Sequence, residues 1–223
     1  MDMAFVAEAF TLILALILSL AFHEASHAYA AKFQGDRTAE LEGRMTLNPI
    51  PHIDPMGTIF LPLTMILMGV PLLFGWAKPV PVNENNLRNR IWGMVIVAAA
   101  GPLSNLFLCF MCIVFVTAYR LYFSDFLPQG HLLFPVVLLI QKMILLNAFL
   151  AFFNLLPLPP LDGGRVFPAF LPKGLREGFE DYIAPYSAWI LLALIISGGL
   201  SFLQPLAMGY VGIAQGVVQA FLN

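Results

Sequence analysis

Charge is what this sequence has least of. Asp, Glu, Lys and Arg make up 11% of its 223 residues, where an average soluble domain carries about 25%. Hydrophobic residues reach 60% and mean hydropathy is +0.83, so a water-soluble globule of this size is excluded. Positive charge is equally sparse: 11 Lys plus Arg stand against 13 Asp plus Glu, leaving no basic stripe for nucleic acid. The two cysteines, Cys109 and Cys112, are too few for a disulfide framework or a zinc ribbon. Three apart in an apolar run, they read as small buried hydrophobes. No internal repeat, low-complexity tract or soluble linker breaks the pattern. What remains is an all-α polytopic membrane protein of about four to six spans at roughly 20 residues each, forming a single membrane-embedded domain over residues 1–223.

The first apolar stretch, residues 3–33, lacks the basic start and small-residue cleavage site of a signal peptide and reads as a retained span. Residues 91–123 and 131–156 are also long and apolar, and 186–203 and 204–222 predict two further helices, the last a candidate to lie at the membrane interface. Residues 56–75 have the length of a span but contain Pro62, Gly69, Pro71 and Gly75. Irregular backbone at membrane depth needs protein or a water-filled cavity around it.

Basic residues settle the expected topology. Lys32, Arg37 and Arg44 follow the first helix, Lys78, Arg88 and Arg90 precede the second, and Arg165, Lys173 and Arg176 follow the third, whereas 124–130 has none. The positive-inside rule makes the three basic stretches cytoplasmic and the loop 124–130 external. An even number of crossings must then separate Phe33 from Ile91, which predicts that 56–75 is a re-entrant hairpin broken near Gly69 to Pro71.

Within the first span stands His23-Glu24-Ala25-Ser26-His27, an H-E-x-x-H. On a helix the two histidines project from one face and can share a metal ion, with Glu24 in reach of a metal-bound water. With four His and seven Glu in the chain, chance supplies such a string only roughly 0.002 times. A polar helix face packed inside a bundle is the alternative, but unpaired ionisable residues are expensive inside a membrane.

Two histidines need a third ligand, and catalytic zinc keeps its fourth position for water. Asp162 closes the run Asn154-Leu-Leu-Pro-Leu-Pro-Pro-Leu-Asp-Gly-Gly164 at the cytoplasmic end of the third long helix. Its prolines interrupt the helix, and Gly163 and Gly164 let the chain bend beside the carboxylate. Asp162 as an ordinary helix cap is the rival reading, and His52 and Asp54 are competing ligands, assigned a gating or outer role.

Taken together, H-E-A-S-H at 23–27, G-R-M-T-L-N-P-I-P-H-I-D-P-M-G-T at 43–58, G-W-A-K-P-V-P-V-N at 75–83, A-G-P-L-S-N at 100–105 and F-N-L-L-P-L-P-P-L-D-G-G-R at 153–165 resemble the site-2 protease family of intramembrane zinc metalloproteases, in a compact prokaryotic form without PDZ or CBS domains. The resemblance spans a catalytic core at 5–167; the C-terminal helices at 182–223 carry no specific signal. It implies His23, His27 and Asp162 as ligands of one zinc ion per chain, Glu24 as general base, and Asn154 as a group that polarises the scissile carbonyl or steadies the oxyanion. Asn105, on the central helix, is a candidate to hold substrate backbone, with close helix packing at Gly101 as the alternative. Gly101 and His52 complete the substrate-binding candidates.

The implied activity is hydrolysis of a peptide bond in or near the transmembrane segment of a single-span membrane protein, carried out in the cell membrane with the active site toward the cytoplasm. A substrate helix must unwind before cleavage. Thr38, Leu41, Met45 and Leu47 suggest short strands within 35–48 at the mouth of the site, one edge of which would add a substrate strand. Two other classes compete: a membrane metal transporter, which needs a second polar site along its path, and a catalytically silent scaffold, which has no use for Glu24.

Overall fold

Among the residues described by the computed structural model, 3–69, 75–123 and 134–222, four long helices build a bundle: α1 (Met3–Phe33), α2 (Arg90–Tyr122), α3 (Phe134–Asn154) and α4 (Leu203–Leu222). Lipid tails are as apolar as leucine, so helices in a bilayer associate through close packing of small residues and through interhelical hydrogen bonds. Both are present. Ala25, Ala28 and Ala31 of α1 are buried, as are Val97, Ala98 and Gly101 of α2. Ser19, Asn105 and Asn147, all fully buried, form a hydrogen-bonded chain through the centre that joins α1, α2 and α3. Ala207, Val211, Ala214 and Val218, one helical face of α4, pack on Cys109, Ile113 and Ala148. The Tyr210 hydroxyl adds a hydrogen bond to the Leu106 carbonyl at 2.8 Å.

Helix directions follow from end contacts. Lys142, in the first half of α3, pairs with Glu8, in the first third of α1, at 2.7 Å, and this lies toward the far end of the bundle. His23, His27 and the end of α3 gather at the other, the site end. Helix α4 starts at the site end, where Leu203 packs with Phe153 and Leu161. It finishes at the far end, where Gln215 and Gln219 share a cavity with Thr117 and Arg120.

Among the described residues, five segments are long and apolar enough to cross a membrane: Phe5–Phe33, Arg90–Tyr122, Phe134–Asn154, Lys173–Ile196 and Gly199–Leu222. The fourth behaves differently from the others. It begins beyond Phe170, whose ring meets Trp92 at 5.4 Å, and Phe179 within it packs on Phe167 at 6.4 Å. After Ile196 the chain turns through Gly198, at φ +71°, and Leu200 joins Phe153, Leu161 and Leu191. Both of its ends therefore lie at the site end, and the segment forms a strap there. The helix expected over 186–203 is realised as Ser187–Ile196 and ends before that glycine.

Two expectations need correction or a boundary. No strand forms among the described residues, and the stretch expected to hold strands at 35–48 contains a helical turn, Thr38–Leu41. Asp36 dictates this, because its Oδ1 accepts from both the Thr38 amide and the Thr38 hydroxyl. Gly43, at φ +66°, then ends the turn. The segment 56–75 forms a short helix, Pro55–Phe60 continuing as Leu61–Leu67. Its two ends meet: the Trp76 amide donates to the Gly57 carbonyl at 3.1 Å, and the Thr58 hydroxyl donates to the Trp76 carbonyl at 2.7 Å. The break expected at Gly69 to Pro71 falls partly, and the external loop 124–130 wholly, outside the described residues.

Candidate metal centre

The helical spacing of His23 and His27 puts both rings on the face of α1 that meets α2. Gly101 makes that meeting possible: a Cβ there would lie 2.4 Å from His27 Nε2 and 2.5 Å from His23 Cε1. Each ring is held from behind. His27 Nδ1 donates to the Val97 carbonyl at 2.7 Å, and His23 Nδ1 lies 2.6 Å from Asn105 Oδ1.

Asp162 arrives from the opposite wall. Helix α3 ends at Asn154, and the proline-rich stretch after it folds back tightly enough that a Cβ on Gly163 would lie 2.3 Å from the Leu155 and Leu156 carbonyl oxygens, and one on Gly164 would lie 2.4 Å from the Pro159 nitrogen. Only glycine fits at either place, and the bend presents Asp162 to the histidines. Its oxygens lie 3.2 Å from His23 Nε2 and 3.4 Å from His27 Nε2, while the two Nε2 atoms are 3.0 Å apart.

These four atoms form a donor set without enough protons. A carbonyl only accepts, so His27 carries a proton on Nδ1, and the neutral ring turns a bare Nε2 inward. Asp162 Oδ2 is buried with no hydrogen-bond partner, despite its approach to His23. Lone pairs gathered this closely call for a cation. Tetrahedral zinc with legs of about 2.0–2.1 Å sets its ligands roughly 3.3 Å apart, the separation found here.

A cavity of about 420 Å³ opens onto this cluster, lined by Glu24, Trp76, Val80, Asn154, Arg165 and Leu191 among others. Glu24, buried on α1 beside the histidines, accepts a hydrogen bond at Oε2 from the Val80 amide at 2.8 Å. The extended chain that brings Val80 there is pinned along its length. Arg44 donates to the Lys78 and Pro79 carbonyls at 2.7 and 3.2 Å, and the Lys78 amide donates to the His52 carbonyl at 2.9 Å. Asn154 lines the cavity, its Nδ2 turned back to the Leu150 carbonyl at 2.9 Å.

The structure thus brings His23, Glu24, His27, Asn154 and Asp162 together at one cavity and sets the other candidates apart. His52 is 2% exposed, with Nε2 on the Thr46 carbonyl, and does not face the cavity. Asp54 caps the turn at Met56 and Gly57. Asn105 is fully buried behind His23, its amide committed to His23 and Asn147, and Gly101 is the spacer under both rings; neither is open to a substrate. Sequence reasoning missed Val80, because a backbone amide leaves no side-chain signature, and Leu191, whose apolar segment resembles any other span.

Comparison with known proteins decides the family. The model of Peptidase family M50 matches residues 11–127 and 127–196. The chain belongs to peptidase family M50. It is 36% identical to an M50 relative of Bacillus subtilis strain 168 named "Putative zinc metalloprotease YwhC", across 86% of this chain and 89% of that one. Rip2 of Mycolicibacterium smegmatis, with the same description, is 29% identical across 81% of this chain and 63% of its own length, and Rip2 of Mycobacterium tuberculosis H37Rv is 31% identical across 87% and 67%. No solved structure matches. Membership of M50, the site-2 protease family, makes the chain a metalloprotease of a multi-pass membrane type, and zinc the metal its donor set fits.

Proposed function

We propose that this chain is an intramembrane zinc metalloprotease that hydrolyses a peptide bond in or beside the transmembrane segment of a single-span membrane protein, as a step in regulated intramembrane proteolysis. The observation that carries the reading is the meeting of His23, His27 and Asp162 with Glu24 at one cavity inside a bundle of apolar helices. One zinc ion would be held by His23 Nε2, His27 Nε2 and an Asp162 oxygen. Bound there, it supplies a water whose pKa falls toward about 7 and Lewis-acid polarisation of the scissile carbonyl.

The remaining steps belong to the protein. Glu24, steadied by the Val80 amide, takes the proton of the attacking water and passes it to the leaving amine. Asn154, released from its own helix carbonyl, can turn its amide to the developing oxyanion. Cavity walls that include Leu20, Ala98, Leu150 and Phe153 keep bulk water away from these exchanges.

Lys32, Arg37, Arg44, Lys78, Arg88 and Arg90 all belong to the segments that flank the site end, which supports a cytoplasmic site in the cell membrane. The ties between Gly57, Thr58 and Trp76 support a re-entrant path for 56–75. The test is cleavage of a purified single-span substrate in proteoliposomes. Wild type cleaves, Glu24→Gln keeps its zinc and loses activity by about 10²–10⁴-fold, and equal cleavage by both proteins would reject the assignment.

A further inference from the structure

Three buried amide and hydroxyl side chains stand behind His23, and their hydrogen bonds have a direction. Asn147 Nδ2 reaches both the Met143 carbonyl and Ser19 Oγ at 2.8 Å. Asn147 Oδ1 accepts from Asn105 Nδ2 at 2.7 Å, and Asn105 Oδ1 faces His23 Nδ1 at 2.6 Å. Ser19, Asn105 and Asn147 are all 0% exposed, so bulk water does not reach a misdirected group.

One atom fixes this direction. The Met143 carbonyl only accepts, so Asn147 must turn its NH₂ there and its oxygen toward Asn105. Asn105 must then offer NH₂ to Asn147 and oxygen to His23, and His23 must carry its proton on Nδ1. Flipping either amide sets donor against donor at one junction and oxygen against oxygen at the next, each buried and uncompensated.

We infer that Asn105 and Asn147 are positioning residues that transmit the polarity of the Met143 carbonyl to His23, holding its Nε2 unprotonated and aimed at the metal position. The inference rests on the zinc-site reading and deepens it. His27 reaches the same tautomer by a single bond to Val97; His23, whose Nδ1 meets the Asn105 side-chain oxygen instead, uses a relay through two amides. A hydrogen bond behind a metal-binding imidazole fixes its tautomer and ring orientation and raises its basicity. Ser19 accepts from the same NH₂ as Met143, so it adds stability without setting direction.

The test is zinc affinity of the purified chain by competition with a chromophoric chelator, together with thermal unfolding of the metal-free proteins. Asn147→Leu, which frees Asn105 to flip, is expected to bind zinc about 10–100-fold more weakly. Asn147→Asp is isosteric and keeps an oxygen facing Asn105 Nδ2, so it holds Asn105 in the same orientation and is expected to bind zinc with the wild-type affinity. Ser19→Ala leaves the Met143 carbonyl in charge and keeps wild-type affinity even where its unfolding temperature drops. If Asn147→Leu fails to fold, Asn105→Leu cuts the relay one bond nearer the metal and is expected to show the same loss.

Wild-type affinity in a folded Asn147→Leu overturns the relay, as does a loss in Ser19→Ala equal to that in Asn147→Leu, which would mark the network as bundle packing alone. A wild-type chain that binds no zinc defeats the metal-site reading, and the relay with it, a result distinct from either of those.

Discussion

The Val80 amide donates to Glu24 Oε2 at 2.8 Å, joining residues 56 positions apart in the chain. Glu24 comes from the helix that carries both histidines, and Val80 from an extended stretch that crosses the cavity. This bond holds the carboxylate through Oε2, which leaves Oε1 for the general-base role proposed for it. Val80→Pro removes the donor and lengthens a run already formed by Pro79 and Pro81. Hydrogen bonds to charged groups are worth about 1.5–3 kcal/mol, so kcat is expected to fall by roughly 10–100-fold with zinc content unchanged. Steady-state kinetics beside metal analysis on one preparation checks this, and loss of zinc would show that the stretch shapes the metal site instead.

Gly101 gives a sharper prediction. The site for a Cβ is already occupied by the His23 and His27 rings, so Gly101→Ala must push helix α2 away or displace a ring. Zinc content is expected to drop well below one per chain. Gly212→Ala on α4, where a Cβ meets nothing within 4 Å, serves as the control and keeps its metal.

Removing the third ligand separates the carboxylates. Asp162→Ala is expected to lose zinc, and Asp54→Ala, which removes only the cap at Met56 and Gly57, to retain it while melting at lower temperature. Metal content after identical chelator washes decides between them; zinc retained in Asp162→Ala would move the third ligand elsewhere.

Asp36 offers a pH signature. Burial pushes its carboxyl up, but hydrogen bonds from Thr38, Asn86 and the Asn83 amide outweigh that and hold it below its ordinary value of 3.8. A depressed folded-state value means that the stabilisation is fully present above the ordinary carboxylate range and is lost as pH falls through the folded value. Asp36→Asn is therefore expected to melt below wild type at neutral pH, with the gap narrowing below about pH 4. A gap that does not change with pH would contradict the assignment.

The path of 56–75 can be read by thiol labelling. Cys109 and Cys112 are buried, so background is low. Glu42→Cys and Lys78→Cys, on either side of the segment, are both expected to react from the cytoplasmic face. Labelling from opposite faces would make the segment a full crossing.

The histidine pair was legible because a side chain every four residues has one meaning on a helix, and Asp162 because prolines and glycines announce a bend beside it. Misreading entered where backbone decided the outcome. Thr38, Leu41 and Met45 follow a spacing of three and four, the period of a helix and not of a strand, and Asp36 capping Thr38 makes the turn that this spacing favours. Whether Asn105 holds substrate or packs inside the bundle is not legible in the sequence, because its position does not show which side of α2 it takes; the donor it meets, His23, comes from 82 residues away.

The strap at the site end changes the parity of the chain. Among the described residues hydropathy alone counts five crossings and would set Met3 and Leu222 on opposite sides. With Lys173–Ile196 anchored at both ends beside the site, four bundle helices remain. Both extremities then come to the far end, where Glu8 meets Lys142 and Gln219 shares a cavity with Arg120. Reporter domains fused to either extremity would share one compartment, on the side of the bundle away from the cavity at His23 and His27.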